Sequence, residues 1–250
     1  MDRPFVIGNW KMNLSLSKSA ALARAMAEEK PPERATVVLC PSFPFIAAVA
    51  ETVEGTHIKV GAQNAAAEEK GAYTGEVSAG MLKELGCHYV IIGHSERRQH
   101  AGENNEMIKR KLTLANHYGL VPILCVGEKM EERQTGQWEN VIAHQLTVAE
   151  GLPLAANFLI VAYEPVWAIG SGQTVSSDDA RLAARTIRAL LLELLGATVS
   201  QKQCAVIYGG SVTAANVKMF VGQDLMDGVL VGASSIDAHE FLGIINALNK

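Results

Sequence analysis

The stretch Phe158-Leu-Ile-Val-Ala-Tyr163 is apolar without a break and runs directly into Glu164-Pro165. A strand with one wet face alternates apolar and polar side chains, whereas a strand covered on both faces is apolar at successive positions, as in a parallel sheet flanked by helices. Tyr89-Val-Ile-Ile92 has the same character. Working outward, short apolar runs fall at Phe5–Asn9, Thr36–Cys40, Ile58–Gln63, Tyr89–Gly93, Val121–Val126, Phe158–Tyr163, Cys204–Tyr208 and Gly228–Val231. Each is followed by a polar or Gly-rich stretch and then by a helical pattern. The steps between runs average about 32 residues, the size of one strand plus its crossover helix.

The intervening helical patterns include Ser17–Lys30, Asn104–His117 and Asp178–Leu195. Ser176-Ser177-Asp178-Asp179 supplies an N-cap and acidic residues for the positive helix N-terminus, and Gly196 stops the pattern. Gly119 stands where a left-handed C-cap ends the second helix. Eight βα units with no linker or low-complexity segment between them predict an α/β fold, a closed (β/α)8 barrel of eight parallel strands surrounded by helices, as one domain over residues 1–250. A doubly wound open sheet uses the same units. Its usual ligands have little support, because no G-x-G-x-x-G follows the first strand and G-x-x-x-x-G-K-[ST] occurs nowhere.

Composition excludes several classes. Of 250 residues, 48% are hydrophobic and 19% charged, too apolar for a disordered chain, and 22 Gly with 8 Pro exclude a collagen-like one. Twenty-two Lys and Arg against 26 Asp and Glu give a net charge of −4, so no global field attracts nucleic acid or an anionic membrane. An anionic ligand must be caught locally. Cys40, Cys87, Cys125 and Cys204 are far apart and read as reduced, buried thiols. The first residues lack the long apolar segment of a signal peptide and no run approaches the roughly 18 residues of a membrane span. The reading is a cytoplasmic protein.

Ligands of α/β proteins sit at the carboxyl ends of strands, and here those ends are polar. Strand one runs into Asn9-Trp10-Lys11, strand three into Gln63-Asn64, strand four into His94-Ser95-Glu96, strand five into Gly127-Glu128 and strand six into Glu164. Strands seven and eight end in Gly209-Gly210-Ser211 and Gly232-Ala233-Ser234, small residues in the place where barrels bind phosphate. A phosphorylated substrate is the first expectation. Pro165 fixes the chain leaving Glu164, and a carboxylate partly stripped of water becomes a usable general base, the alternative being a salt bridge to a neighbouring loop. Backbone N–H groups after His94 suit a neutral imidazole that donates from its other nitrogen, the alternative being a structural histidine. His57, His88, His100, His117, His144 and His239 are read as structural. Lys11 is a solvated loop charge, a cation for an anionic substrate, or a Schiff-base lysine. Three metal ligands are not supplied by any His or Cys spacing. Glu, neutral His and Lys beside a phosphate cradle suit proton transfer between carbons next to a carbonyl. Apolar residues in the loop after Glu164, ending in Gly170-Ser171-Gly172, read either as a lid or as a loop packed permanently on the barrel.

Seven motifs, Gly8-Asn-Trp-Lys-Met-Asn13, Gly71-Ala-Tyr-Thr-Gly-Glu76, His94-Ser-Glu-Arg-Arg98, Cys125-Val-Gly-Glu128, Ala162-Tyr-Glu-Pro-Val-Trp-Ala-Ile-Gly170, Tyr208-Gly-Gly-Ser-Val212 and Leu230-Val-Gly232, together resemble the triosephosphate isomerase family over essentially the whole chain. The resemblance implies a TIM barrel interconverting dihydroxyacetone phosphate and D-glyceraldehyde 3-phosphate through an enediol(ate), with no cofactor and no metal. By motif, Glu164 is the base, His94 the electrophile, Lys11 the essential cation and Asn9 a substrate contact. Ser95 and Glu96 support His94 and Lys11, and Cys125 packs beneath the site. Phosphate meets backbone N–H groups at Gly170, Ser211 and Gly232. The lid runs from Pro165 to about Ser176. The resemblance also implies a homodimer in which the loop carrying Thr74 inserts beside the partner's Asn9 and Lys11. Two positions depart from the family pattern. Ala233 replaces a usual second glycine, keeping a phosphate-side N–H but resisting positive φ, and Gln173 replaces a common lysine.

Two rivals stand beside this reading. One is a sugar-phosphate aldolase or epimerase on the same barrel, for which Lys11 forms the Schiff base in the aldolase case. The other is a catalytically silent barrel that binds phosphate, against which the presence of Glu164, His94 and Lys11 counts.

Overall fold

A computed structural model describes residues 3–31, 33–152, 154, 158–169, 175–222 and 225–248. The eight apolar runs are strands β1 (Phe5–Asn9), β2 (Thr36–Cys40), β3 (Lys59–Ala62), β4 (Tyr89–Ile92), β5 (Val121–Val126), β6 (Leu159–Tyr163), β7 (Cys204–Tyr208) and β8 (Gly228–Val231). Each pairs in parallel with the next, and β1 pairs with β8, Phe5 opposite Gly228, so the sheet closes on itself. The open-sheet alternative is thereby excluded. At the seam only glycine fits: a Cβ on Gly228 would stand 2.1 Å from the Phe5 carbonyl oxygen.

Three strands are shorter than the sequence suggested, for local reasons. Gly93 has φ +69°, which turns the chain out of β4. Ile58 donates its N–H to the Thr56 hydroxyl instead of to a strand, and the Gln63 side chain bonds the Lys11 and Cys40 carbonyls. Phe158 lies just outside β6, packed on the Phe5 ring.

Ten helices occur among the described residues: α1 (Leu16–Glu28), α2 (Ile46–Thr52), α3 (Ala79–Glu84), α4 (Ser95–His100), α5 (Asn105–His117), α6 (Met130–Gln134), α7 (Trp138–Leu146), α8 (Ser177–Leu195), α9 (Ala197–Gln203) and α10 (Ala238–Leu248). The caps follow the sequence. Ser176 accepts the Asp179 N–H at 3.1 Å to start α8, Gly196 (φ +79°) ends it, and Gly119 (φ +67°) follows α5.

The unbroken apolar runs have two destinations. Ile7, Val38, Ile91, Ile123, Ile160 and Ile207 come from six strands and form one buried cluster, which only the barrel interior brings together. Their neighbours Val6, Leu39, Val90, Leu124, Val161 and Val206 belong to a second cluster with the inward faces of the helices. Alternation is thus present, but both faces are dry. Rigid packing inside and out leaves the strand ends as fixed mounts for polar groups.

Candidate active site

At the carboxyl ends of the strands Asn9, Lys11, His94, Glu164, Ser211, Gly232 and Ala233 line one cavity of about 420 Å³. Residues from five different strand ends, up to 224 positions apart in the chain, are brought together there.

Lys11 is held in a backbone conformation that lysine disfavours, with φ +50°. Three hydrogen bonds fix it: its N–H donates to Asn9 Oδ1 at 3.1 Å, and its carbonyl accepts from Ser42 Oγ and Gln63 Nε2, each at 2.9 Å. The result aims the side chain into the cavity, where Nζ donates to Glu96 Oε1 at 2.5 Å. Burial is the largest single influence and raises the Glu96 carboxyl, but the bond from Lys11 and the electrostatic pull of His94, Lys11 and His100 together outweigh it, and the group lies below its ordinary value. Lys11 is thus an ion-paired lysine at the cavity wall.

His94 is the N-cap of α4, and its Nδ1 accepts the Glu96 N–H at 3.2 Å. That bond assigns the ring proton of a neutral imidazole to Nε2, which points at Glu164 Oε1 across 3.2 Å. Glu164 is 1% exposed, and its second oxygen accepts the Ser95 N–H at 3.1 Å. Two glycines make room for it: a Cβ on Gly127 would meet the Glu164 carbonyl oxygen at 1.7 Å, and one on Gly209 would meet its Cγ at 2.7 Å. Among the supporting residues, then, Glu96 touches both His94 and Lys11, while the Ser95 backbone holds Glu164. Cys125 lies beneath, and burial followed by the nearby Glu164 carboxylate raises its thiol well above the ordinary value.

On the opposite wall, Ser211 Oγ donates to the Ala168 carbonyl at 2.9 Å. A Cβ on Gly232 would stand 3.6 Å from Lys11 Cε, so β8 brings its backbone against the lysine. Ala233 opens a short 3-10 turn, Ala233–Ile236, and its φ is not in the left-handed region, so alanine is accommodated there. Gly170 and the central part of the expected lid, with Gln173, lie outside the described residues. Thr74 is exposed on a loop whose base is closed by the bond from Ala66 N–H to the Val77 carbonyl at 2.8 Å, away from this chain's own cavity.

Two features were given no role from the sequence. Glu128 is fully buried, and its Oε1 accepts from the Tyr163 hydroxyl at 3.1 Å and the Trp167 indole at 3.0 Å, anchoring the start of the loop after Glu164. The Gln145 amide, on α7, bonds both peptide groups of Gly127. The first had a signal, a carboxylate at a strand end; the second had none. Among the described residues no group of three His, Cys, Asp or Glu is placed to hold a metal ion, and no helix is long and apolar enough to cross a membrane.

Comparison with known proteins gives the same answer as the geometry. The family model for triosephosphate isomerase matches residues 4–248. The chain is 44% identical over 248 residues to the triosephosphate isomerase of Alkaliphilus oremlandii, covering 98% of this chain and 100% of that one. It is 45% identical over 250 residues to that of Moorella thermoacetica, covering 98% and 99%, and 44% identical over 248 residues to that of Rhodopirellula baltica, covering 98% and 97%. A closed eight-stranded barrel, a carboxylate facing an imidazole at its mouth and this likeness along the whole length lead to one conclusion: the chain belongs to the triosephosphate isomerase family.

Proposed function

We propose that Glu164, His94 and Lys11 carry out the aldose–ketose isomerisation of the family in this chain, moving a proton between adjacent carbons of dihydroxyacetone phosphate and D-glyceraldehyde 3-phosphate. Glu164 takes the proton from the carbon next to the carbonyl, His94 Nε2–H polarises the carbonyl oxygen, and the Lys11 ammonium stabilises the negative charge that develops on the enediolate. His94 relays a proton between the two oxygens, protonating the former carbonyl oxygen as the neighbouring hydroxyl gives up its proton, and Glu164 returns its own proton to the neighbouring carbon, so no group is consumed. The single observation that carries this reading is the 3.2 Å approach of the buried Glu164 carboxylate to His94 Nε2, in a cavity that also holds Lys11.

Asn9 is assigned to the substrate and the backbone N–H groups of Ser211, Gly232 and Ala233 to its phosphate, with Gly170 completing the cradle as the lid closes. The test is a coupled assay with glyceraldehyde 3-phosphate on wild type and Glu164→Ala. Wild-type turnover no faster than that of the variant would overturn the assignment.

The chain is read as a single domain that works in the cytoplasm as a homodimer. Supporting the dimer, Met12 is 93% exposed and forms, with Leu14, Phe43 and Phe45, part of the wall of a cavity of about 600 Å³ that also reaches Asn9 and Lys11. An apolar wall open to water beside the catalytic lysine suits the exposed Thr74 loop of a second copy. Sedimentation at micromolar concentration decides it, and a monomer would sink the dimer.

A further inference from the structure

The glutamine that pairs with Gly127 has a place in this mechanism. Strands β4 and β5 pair only as far as Ile92 and Leu124, because Gly93 then turns the chain away into α4. β5 continues beyond that point as the neighbour of β6. The Val126 carbonyl accepts the Glu164 N–H at 2.7 Å, and the Glu128 carbonyl accepts the Val166 N–H at 3.0 Å. Those two bonds are the mount of Glu164. In a parallel sheet alternate residues direct their peptide groups to opposite neighbours, so the N–H and C=O of Gly127, between these two rungs, face the side that β4 has left.

Gln145 fills that vacancy. From the last turn of α7 its Oε1 accepts the Gly127 N–H at 2.8 Å and its Nε2 donates to the Gly127 carbonyl at 3.1 Å. A primary amide is the side chain that offers an acceptor and a donor side by side, as a neighbouring strand would. Glycine at 127 is required on the other side, against Glu164, since a Cβ there would overlap the Glu164 carbonyl. Gln145, Gly127, Ser95 and Glu164 all line one small cavity of about 250 Å³ behind the carboxylate.

We propose that Gln145 is a positioning residue for the base: it stands in for the missing strand at Gly127 and thereby fixes the peptide plane against which Glu164 is mounted. It does not reach the substrate cavity. The inference rests on the reading of Glu164 as the base, and it extends that reading to a helix on the outside of the barrel. Loosening the Gly127 peptide shifts the carboxylate relative to the substrate carbon, and misplacement of a catalytic group by about 1 Å costs on the order of 10²-fold in rate. The phosphate-side groups on β7 and β8 are untouched, so the loss falls on kcat and not on KM.

The test measures kcat and KM with glyceraldehyde 3-phosphate, together with thermal midpoints, for wild type, Glu164→Ala, Gln145→Met and Gln145→Glu. Gln145→Met keeps the length and loses both hydrogen bonds; Gln145→Glu keeps the acceptor and cannot donate when ionised. The expected result is a kcat about tenfold or more below wild type in Gln145→Met, with KM within about twofold, and a kcat reduction at unchanged KM in Gln145→Glu. Wild-type kcat in both variants beside an inactive Glu164→Ala overturns the positioning role alone. A wild-type rate in Glu164→Ala removes the base and this inference with it. A rise in KM at constant kcat, or failure of both Gln145 variants to fold, makes Gln145 a binding or scaffold residue and also overturns the proposal.

Discussion

Nε2 of His94 stands 3.2 Å from Oε1 of Glu164, while the other oxygen of that carboxylate is bonded to the Ser95 N–H. Both oxygens are therefore engaged by the start of α4, and on the proposed reading of Glu164 as the base the Ser95 bond is released to present that oxygen to a substrate carbon. Reach is then decisive. Glu164→Asp removes one methylene from the side chain and keeps the charge. We expect kcat to fall on the order of 10²-fold with KM little changed, measured by steady-state kinetics. A fall of less than threefold would mean that placement of the carboxylate is not critical.

Glu96 links Lys11 to α4, and its depressed titration gives a pH signature. A carboxyl whose folded value is below its unfolded one adds stability that is fully present above the unfolded value and disappears as pH falls through the folded value. Lys11 is about a quarter and Glu96 about half exposed, so the pair is worth no more than about 1 kcal/mol. Wild type should melt about 1–4 °C above Glu96→Gln near pH 6, and the gap should close below about pH 4. A gap that is constant with pH would contradict the ion pair.

Glu128 is a buried acceptor serving Tyr163 and Trp167, with the Arg133 guanidinium 3.8 Å away. Glu128→Ala takes that acceptor away and leaves space in a packed region. The expected cost is about 3 kcal/mol in urea unfolding. A cost below about 1 kcal/mol would show that water replaces the carboxylate without penalty.

Ala233 does not need a left-handed backbone. Ala233→Gly should therefore leave KM for glyceraldehyde 3-phosphate within about twofold of wild type. A larger fall in KM would show that the methyl group obstructs the phosphate.

All four thiols are buried. Burial pushes Cys204 to about 11 and Cys87 to about 12, and Cys40 and Cys125 are raised as well. Since the thiolate is the reactive form, native protein at pH 8 should resist alkylation at all four, and all should react after unfolding. Rapid labelling of the native protein would contradict this packing.

The barrel was legible in the sequence because burial on both faces leaves an unmistakable mark: Phe158 to Tyr163 has no polar position to spare. The placement of Glu164, His94 and Lys11 at the cavity was legible because Glu164 and His94 directly follow such runs and Lys11 stands two residues beyond one. What escaped had a different cause. The left-handed conformation of Lys11 has no glycine to announce it, being imposed by Asn9, Ser42 and Gln63 from three separate strand ends. Gln145 lies mid-chain on an ordinary amphipathic helix, and only the early end of β4 creates the demand that it meets. Ser95 was expected to serve His94 or Lys11, but its contribution is a main-chain N–H, which no side-chain chemistry encodes.

The seam between β1 and β8 runs through the middle of the cavity, with Lys11 on one side and Gly232 on the other. During synthesis the lysine emerges among the first residues and waits for nearly the whole chain before its neighbour across the seam exists. No amino-terminal fragment, however well its early βα units fold, holds both Lys11 and the Gly232 end of β8. On the proposed assignment the site is therefore incomplete until the strand that closes the ring is in place.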